Sequence, residues 1–389
     1  MTPTADVVII GGGCMGASVA YHLSRRGVTD VVLVEREKML ATGSTGRNAG
    51  GVRHQFSNEA NIRLSIESIS LLERFADEVG HAIDFHQDGY LFLLSSEKSV
   101  ATFRQNVELQ RRLGVDVQWL SGADALQLAS GLDTAGVIAA TFCGRDGIAD
   151  PNGVTMGFAK AAQRAGIAIE RDVEVTGVCL SGGRVSGVET SRGTIETRTV
   201  VNAAGPWAGR VGRLVGGGDV SIPVEPVRRH IFIAAAGGAE PMQGVPTSHI
   251  MVIDFDTTFY FHREGGGILF GMGDPSETST FDTTVQWDFL PQVIDVAVTR
   301  LPALASASIS HAWAGLYEMT PDGNPIIGPT GIEGFYMIAG FSGHGFQHSP
   351  AAGRILADVI AGRDPHFDLS PFACERFAHA RAGGERYVI

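Results

Sequence analysis

Asp6–Glu35 reads DVVIIGGGCMGASVAYHLSRRGVTDVVLVE. "DVVII" is a short β-branched run, suited to a strand buried on both faces. It passes into Gly11-x-Gly13-x-x-Gly16 and then into "ASVAYHLSRRG", apolar at helical spacing until Gly27 ends it. A second buried strand, "DVVLVE" (Asp30–Glu35), finishes on an acid. Strand, glycine turn, helix and strand within about thirty residues form a dinucleotide-binding βαβ unit. Its glycines permit the tight turn, close approach of backbone to a pyrophosphate, and close helix–strand packing. Glu35 follows Gly16 by nineteen residues, where a ribose-binding carboxylate belongs. An acid there specifies an unphosphorylated ribose, hence FAD or NAD rather than NADP.

The next segment, "ATGSTGRNAGGVRHQF" (Ala41–Phe56), holds four glycines, Arg47, Arg53 and His54, and no acid. The chain around it has a formal charge of −12 over 389 residues, so this positive charge is local. The acidic balance argues against nucleic-acid or anionic-membrane binding, both of which need a basic surface. With 44% hydrophobic and 19% charged residues, the composition is that of a globular protein with ample core. Cys14, Cys143, Cys179 and Cys374 form no CxxC pair, which points to reduced thiols and a cytoplasmic setting. The apolar start carries Asp6 and central glycines and has no basic n-region, unlike a signal peptide. No apolar run is long enough to predict a membrane span.

Farther along, Ile62, Ile66, Ile69, Leu72, Phe75 and Val79 predict a helix with Ser57 or Asn58 as N-cap. "DGYLFLLSS" predicts a strand and Glu97–Leu113 an amphipathic helix. "DGIADPNGVTMGFAKAAQRAGIAIERDVEVTGV" reads as loop, helix and strand, followed by strands in "GRVSGVETSRG" and "TIETRTVVNAAG". Val224 to Pro275 alternates in strand fashion, and helical patterning returns near Leu290–Leu301. "GFYMIAGFSGHGFQHSPAAGRILADVIAG" closes the chain as strand, glycine turn and helix. Nucleotide-binding elements at both ends suit an FAD embraced by separated segments better than the contiguous block of an NAD dehydrogenase.

"VVIIGGGCMGASVAYHL…VVLVE", "GSTGRNAGGVRHQF", "EANIRL…GYLFLL", "DGIADPNGV", "VVNAAGPWA", "GLYEMTPDGNPIIG" and "GFSGHGFQHSPAAGRILADVI" cover nearly the whole chain. Together they resemble the D-amino-acid oxidase/sarcosine oxidase superfamily of FAD-dependent amine oxidoreductases. The closest likeness is to sarcosine oxidase β-type subunits and to proline and opine dehydrogenase β subunits. The resemblance implies an α/β (α+β overall) protein. Its Rossmann-like FAD-binding domain would come from segments 1–85, 145–222 and 325–389. A substrate domain on an antiparallel sheet would come from 86–144 and 223–324.

Residue by residue, the resemblance puts Gly11, Gly13 and Gly16 at the FAD pyrophosphate and Glu35 at the ribose. Ser44, Thr45 and Arg47 fall in the loop approaching the flavin, Val173 beside the adenine, and Ala204, Gly205 and Trp207 in a cofactor-facing turn. Gly343, His344, Gly345, Phe346 and Gln347 match the turn and helix N-terminus at the flavin's pyrimidine end. A helix N-terminus suits that place because reduction puts negative charge there. Arg53 takes the position that holds the substrate carboxylate, a group an arginine can grip by two parallel hydrogen bonds. His344, Gln347, Tyr317 and Tyr260 complete the expected catalytic set; His54, His230 and His262 are further pocket candidates. Trp313 reads as packing, and Asp322 and Asn324 as turn formers.

Departures from the family pattern matter too. Histidines that link flavin covalently align with Arg47 and Pro151 and a linking cysteine with Gly315, so non-covalent FAD is expected. A lysine associated with oxygen activation aligns with Phe270, and one that helps hold carboxylate aligns with Gln347. Loss of the first favours a dehydrogenase; loss of the second suggests a substrate other than simple sarcosine. No HExxH, nucleophile elbow or metal-ligand cluster is evident, so no metal is expected. The expected activity is oxidation of the C–N bond of a secondary or N-substituted amino acid, with flavin as hydride acceptor. The partners are that amino-acid-like substrate and either small partner subunits or another electron acceptor. The alternatives are a non-catalytic FAD-binding accessory protein and a nicotinamide-dependent dehydrogenase.

Overall fold

The computed structural model describes residues 3–218, 220–236, 241–378, 384, 385 and 388. The rest of the expected domain segments lies outside the described residues. Val7–Ile10 sits inside a six-stranded sheet, flanked by Val31–Glu35 and Thr199–Asn202 in parallel register. Ala168–Arg171 extends the sheet beyond Val31–Glu35; Phe335–Ala339 and the antiparallel Ile326–Pro329 extend the other side. Side chains along a strand alternate faces, and the two apolar layers divide on that period. Val7, Ile9, Val31 and Leu33 pack under helices that include Cys14–Arg25, Glu59–Glu73, Pro151–Arg164 and Gly345–Ile360. Val8, Ile10, Val32 and Val34 meet the small antiparallel sheet of Val175–Ser181, Arg184–Thr190 and Gly193–Glu196.

"TIETRTVVNAAG", expected as one strand, is two. Gly193–Glu196 ends in the small sheet, and Thr199–Asn202 begins in the large one. Thr197 is buried between them, its hydroxyl donating to Asp6 O at 3.1 Å. The predicted 62–79 helix likewise divides at Arg74 into Glu59–Glu73 and Phe75–Val79. Its N-cap is Asn58, whose side chain accepts from Asn61 N.

An eight-stranded sheet is built from Tyr90–Leu94, Gln118–Leu120, Ala139–Cys143 and five strands between Glu225 and Met319. Its pairs are antiparallel except Met251–Asp254 beside Tyr90–Leu94. One face carries Phe232, Phe261 and Phe270 against the Leu290–Arg300 helix. The other face turns toward the dinucleotide-type sheet.

The opening and closing helices cross closely, because a Cβ on Gly353 would strike Ser18. Pro350 lies inside the closing helix and removes one backbone donor. Ser349 Oγ compensates by donating to Phe346 O at 2.8 Å.

Candidate active site

The strand–glycine–helix turn opens a groove of about 500 Å³. Gly11 holds φ +112°, and a Cβ there would lie 2.5 Å from Ala203 O. Gly16 serves packing: a Cβ on it would collide with Gly11 O, and it does not line the groove. Gly13 does line the groove and caps the opening helix without a side-chain hydrogen bond of its own; Thr45 Oγ1 takes only the first N–H of that positive helix end, at Cys14. Glu35 lies on the floor, its carboxylate accepting from Gly12 N at 2.7 Å and Glu37 N at 2.8 Å. Val173, Ala204, Gly205 and Trp207 complete the walls named from sequence. These features fit a dinucleotide: a glycine backbone strip, a helix N-terminus with glycine as its N-cap for phosphate, and an acid beyond it.

The groove continues into an inner cavity of about 150 Å³ through shared walls at Cys14, Ser44, Thr45, Arg47, Leu316 and Glu318. The glycine-rich loop makes this junction. Thr45 Oγ1 accepts from Cys14 N at 3.1 Å, and Ser44 Oγ donates to Leu316 O at 2.6 Å. Arg47 Nη1 donates to Ala314 O at 2.8 Å, and Trp313 Nε1 returns a bond to Arg47 O at 3.0 Å. The loop is thereby sewn to the Ser308–Met319 strand.

Arg53 enters the inner cavity from the same loop and is 6% exposed. Its guanidinium stacks 3.9 Å from the Phe56 ring centre and donates to Gln55 O. Its backbone N–H donates to Gln347 Oε1 at 2.6 Å, linking the loop to the closing helix. Beneath it, His54 Nδ1 and Asp146 Oδ1 are 2.6 Å apart, and Asp146 also accepts from His54 N and Gln55 Nε2. Cys143 joins these two in the one group of potential metal ligands among the described residues. Imidazole and carboxylate there satisfy each other, so the cluster anchors the Arg53 segment.

Gly343, His344, Gly345, Phe346 and Gln347 form one wall of the cavity. Gly343 has φ +94°, and a Cβ on it would strike the Tyr317 ring. The helix that begins at Gly345 has no side-chain cap, so a second helix N-terminus opens on the same space. His344 is held neutral: burial, and then the Arg53 charge, push its pKa down to about 3. Tyr317 and Tyr260 also line the cavity, Tyr317 directly against Gly343, and burial raises both phenols.

His54, His230 and His262 do not line the cavity. His262 is fixed between Ala49 O and Arg263 O, and His230 Nε2 accepts from Gln286 N. Phe270 faces the apolar layer, and the register puts Gly271 opposite Tyr260 on the cavity side. The position aligned with an oxygen-activating lysine is therefore not at the cavity.

Sequence reading missed Tyr90, Arg229 and the role of Glu318 as a wall of both spaces. Glu318 accepts from Gly340 N at 3.1 Å, yet burial still pushes its carboxyl up to about 7. Parity along "RRH" could have separated Arg229 from Arg228, though not which of them meets a cavity.

Comparison with known proteins agrees with this architecture. The family model for FAD-dependent oxidoreductases (DAO) matches residues 6–359. FAD-dependent oxidoreductase domain-containing protein 1 of Bos taurus is 32% identical, covering 99% of this chain and 87% of its own. Mitochondrial sarcosine dehydrogenase of Homo sapiens is 29% identical over 99% of this chain, which spans only 43% of that relative. The crystal structure of L-proline dehydrogenase from P. horikoshii superposes with a TM-score of 0.90 at 34% identity, covering 97% of this chain and 99% of that one. With fold, groove and family model in agreement, this chain belongs to the DAO family of FAD-dependent oxidoreductases.

Proposed function

We propose that the protein oxidises the C–N bond of a secondary or N-substituted amino acid, with Arg53 holding the substrate carboxylate. The observation that carries this reading is the buried Arg53 guanidinium in a cavity that opens directly onto the dinucleotide groove. Names of similar proteins support it: sarcosine dehydrogenase and L-proline dehydrogenase both act on amino acids with a secondary nitrogen.

In this reading Gly11, Gly13, Glu35, Val173, Ala204, Gly205 and Trp207 hold the nucleotide part of FAD, and Gly16 keeps the turn tight. Ser44, Thr45, Arg47 and the 343–347 turn hold the flavin end. When bound, FAD supplies a two-electron acceptor for the hydride that leaves the carbon beside nitrogen. The N–H proton goes to solvent as the C=N bond forms, and water then adds to the imine. Arg53 clamps the carboxylate by charge-assisted hydrogen bonds. The uncapped N-terminus at Gly345 offers N–H donors to negative charge developing beside it. His344, kept neutral, adds no positive charge near the amine, while Tyr260 and Tyr317 wall off water. We place the nucleotide-holding residues in segments 1–85, 145–222 and 325–389, and the substrate walls in 86–144 and 223–324. FAD is proposed to be dissociable, because neither Arg47 nor Gly315 at the cavity can link it.

Anaerobic titration of the flavoprotein with N-alkyl and cyclic amino acids tests this reading. The visible flavin band should bleach, and mild acid precipitation should leave flavin in the supernatant. Slow recovery of colour in air would identify a dehydrogenase, fast recovery an oxidase. No bleaching by any amine would overturn the proposal in favour of an accessory role.

A further inference from the structure

Arg228 and Arg229 are neighbours on the Glu225–Ala235 strand, so they point to opposite faces of its sheet. Their surroundings differ sharply. Arg228 is 5% exposed and meets two carboxylates, Glu277 at 2.9 Å and Asp282 at 2.9 Å. Arg229 lines the inner cavity and has no carboxylate partner among the described residues. Its Nη1 donates to Arg228 O at 3.0 Å, its Cζ lies 4.9 Å from the Tyr317 ring centre, and its buried Nε has no acceptor. A guanidinium set against a cavity wall with an unused buried donor calls for an anion.

The cofactor does not supply that anion. Arg229 lines the inner cavity and not the groove that takes the phosphates. Negative charge on reduced flavin would be matched by the helix N-terminus at Gly345. Arg47 is already committed to Ala314 O, and Arg53 has the first carboxylate of the proposed substrate. Among the described residues, Glu318 is the one acid lining the cavity. Tyr317 feels both Arg229 and Arg53, each of which lowers its pKa against the effect of burial. A substrate beside Tyr317 would therefore share the cavity with two cations, Arg229 and Arg53.

We propose that the substrate is a secondary-amine dicarboxylate, an amino acid whose nitrogen substituent bears a second carboxylate, with Arg53 binding one acid group and Arg229 the other. This rests on the amine-oxidation reading above and names its substrate class. The hydride leaves a carbon beside the nitrogen for FAD, the N–H proton goes to solvent, and one water cleaves the imine into an amino acid and an oxo acid.

The test uses the FAD-loaded protein. Anaerobic flavin reduction is followed with iminodiacetate and N-(1-carboxyethyl)alanine as dicarboxylates, and with sarcosine and proline as monocarboxylates. Binding without oxidation is read from the flavin absorption shift with thiodiacetate and with methylthioacetate. The dicarboxylates should half-saturate at least ten-fold lower, and thiodiacetate should bind at least ten-fold tighter than methylthioacetate. R229Q should cost the dicarboxylic ligands at least ten-fold more than the monocarboxylic ones, with R229K between. Equal losses for both classes, or tighter monocarboxylates in the wild-type protein, would overturn the assignment while leaving amine oxidation standing. If no amine reduces the flavin, the underlying reading falls and takes this one with it. Should R229Q fail to retain FAD, the wild-type ligand series decides alone.

Discussion

At the scale of single residues, two arginines lining one cavity show how differently the same side chain is used. Arg47 ties two strands of chain together through backbone carbonyls, whereas Arg53 lies flat on Phe56 with its backbone fixed by Gln347. A charge-assisted hydrogen bond to carboxylate is worth about 1.5–3 kcal/mol. R53Q should therefore raise the half-saturation for flavin reduction roughly ten- to hundred-fold, with R53K recovering part of it; stopped-flow titration reads both. An unchanged half-saturation would remove Arg53 from carboxylate binding. Arg53 was singled out by its place in the resemblance, with the basic, glycine-rich segment around it pointing the same way. Arg229 was not, because strand parity tells two faces apart without saying which face meets a cavity. Glu318 escaped for a similar reason: its importance comes from desolvation between elements far apart in sequence.

At the scale of elements, the site depends on turns that place two helix ends and one loop around a common space. Gly343 sits in one of them, with a positive φ and no room for a Cβ beside Tyr317. G343A should cost about 1–3 kcal/mol in strain, seen as a lower melting temperature, and should weaken FAD binding in a titration of the apoprotein. Normal affinity with normal melting would mean the turn is not part of the flavin site. D146N attacks the anchor under Arg53 instead, leaving His54 and two other donors facing a poorer acceptor. It should destabilise by about 1–3 kcal/mol, as weakening the acceptor of several buried donors does, measurable by urea denaturation. Helices and buried strands were legible from periodicity because their apolar faces are long and regular. The break between Glu196 and Thr199 was not, since one apolar stretch serves two sheets and only tertiary packing separates them.

At the scale of the whole molecule, buried imidazoles make stability depend on pH. Burial holds His22 down to about 3, His262 to about 4, His344 to about 3, and His348 also well below 6.5. Unfolded histidines take up protons near 6.5, so this stability is fully present above that pH and is lost as pH falls toward 3–4. Glu318 works the other way, gaining its proton in the folded state from about 7 downward. The balance is a net loss of roughly 3 kcal/mol between pH 8 and 5.5, which urea midpoints at the two values would register. An unchanged midpoint would show that the imidazoles are not held neutral. No described helix is long and apolar enough to cross a membrane. The strand order has a further consequence, for biosynthesis. Val7–Ile10 leaves the ribosome long before Phe335–Ala339, which completes its sheet, and before the helix beginning at Gly345, which roofs it. Until those later segments emerge the strand stays incompletely covered, so the groove that Ile10 lines cannot be complete before Phe335–Ala339 and the closing helix are made.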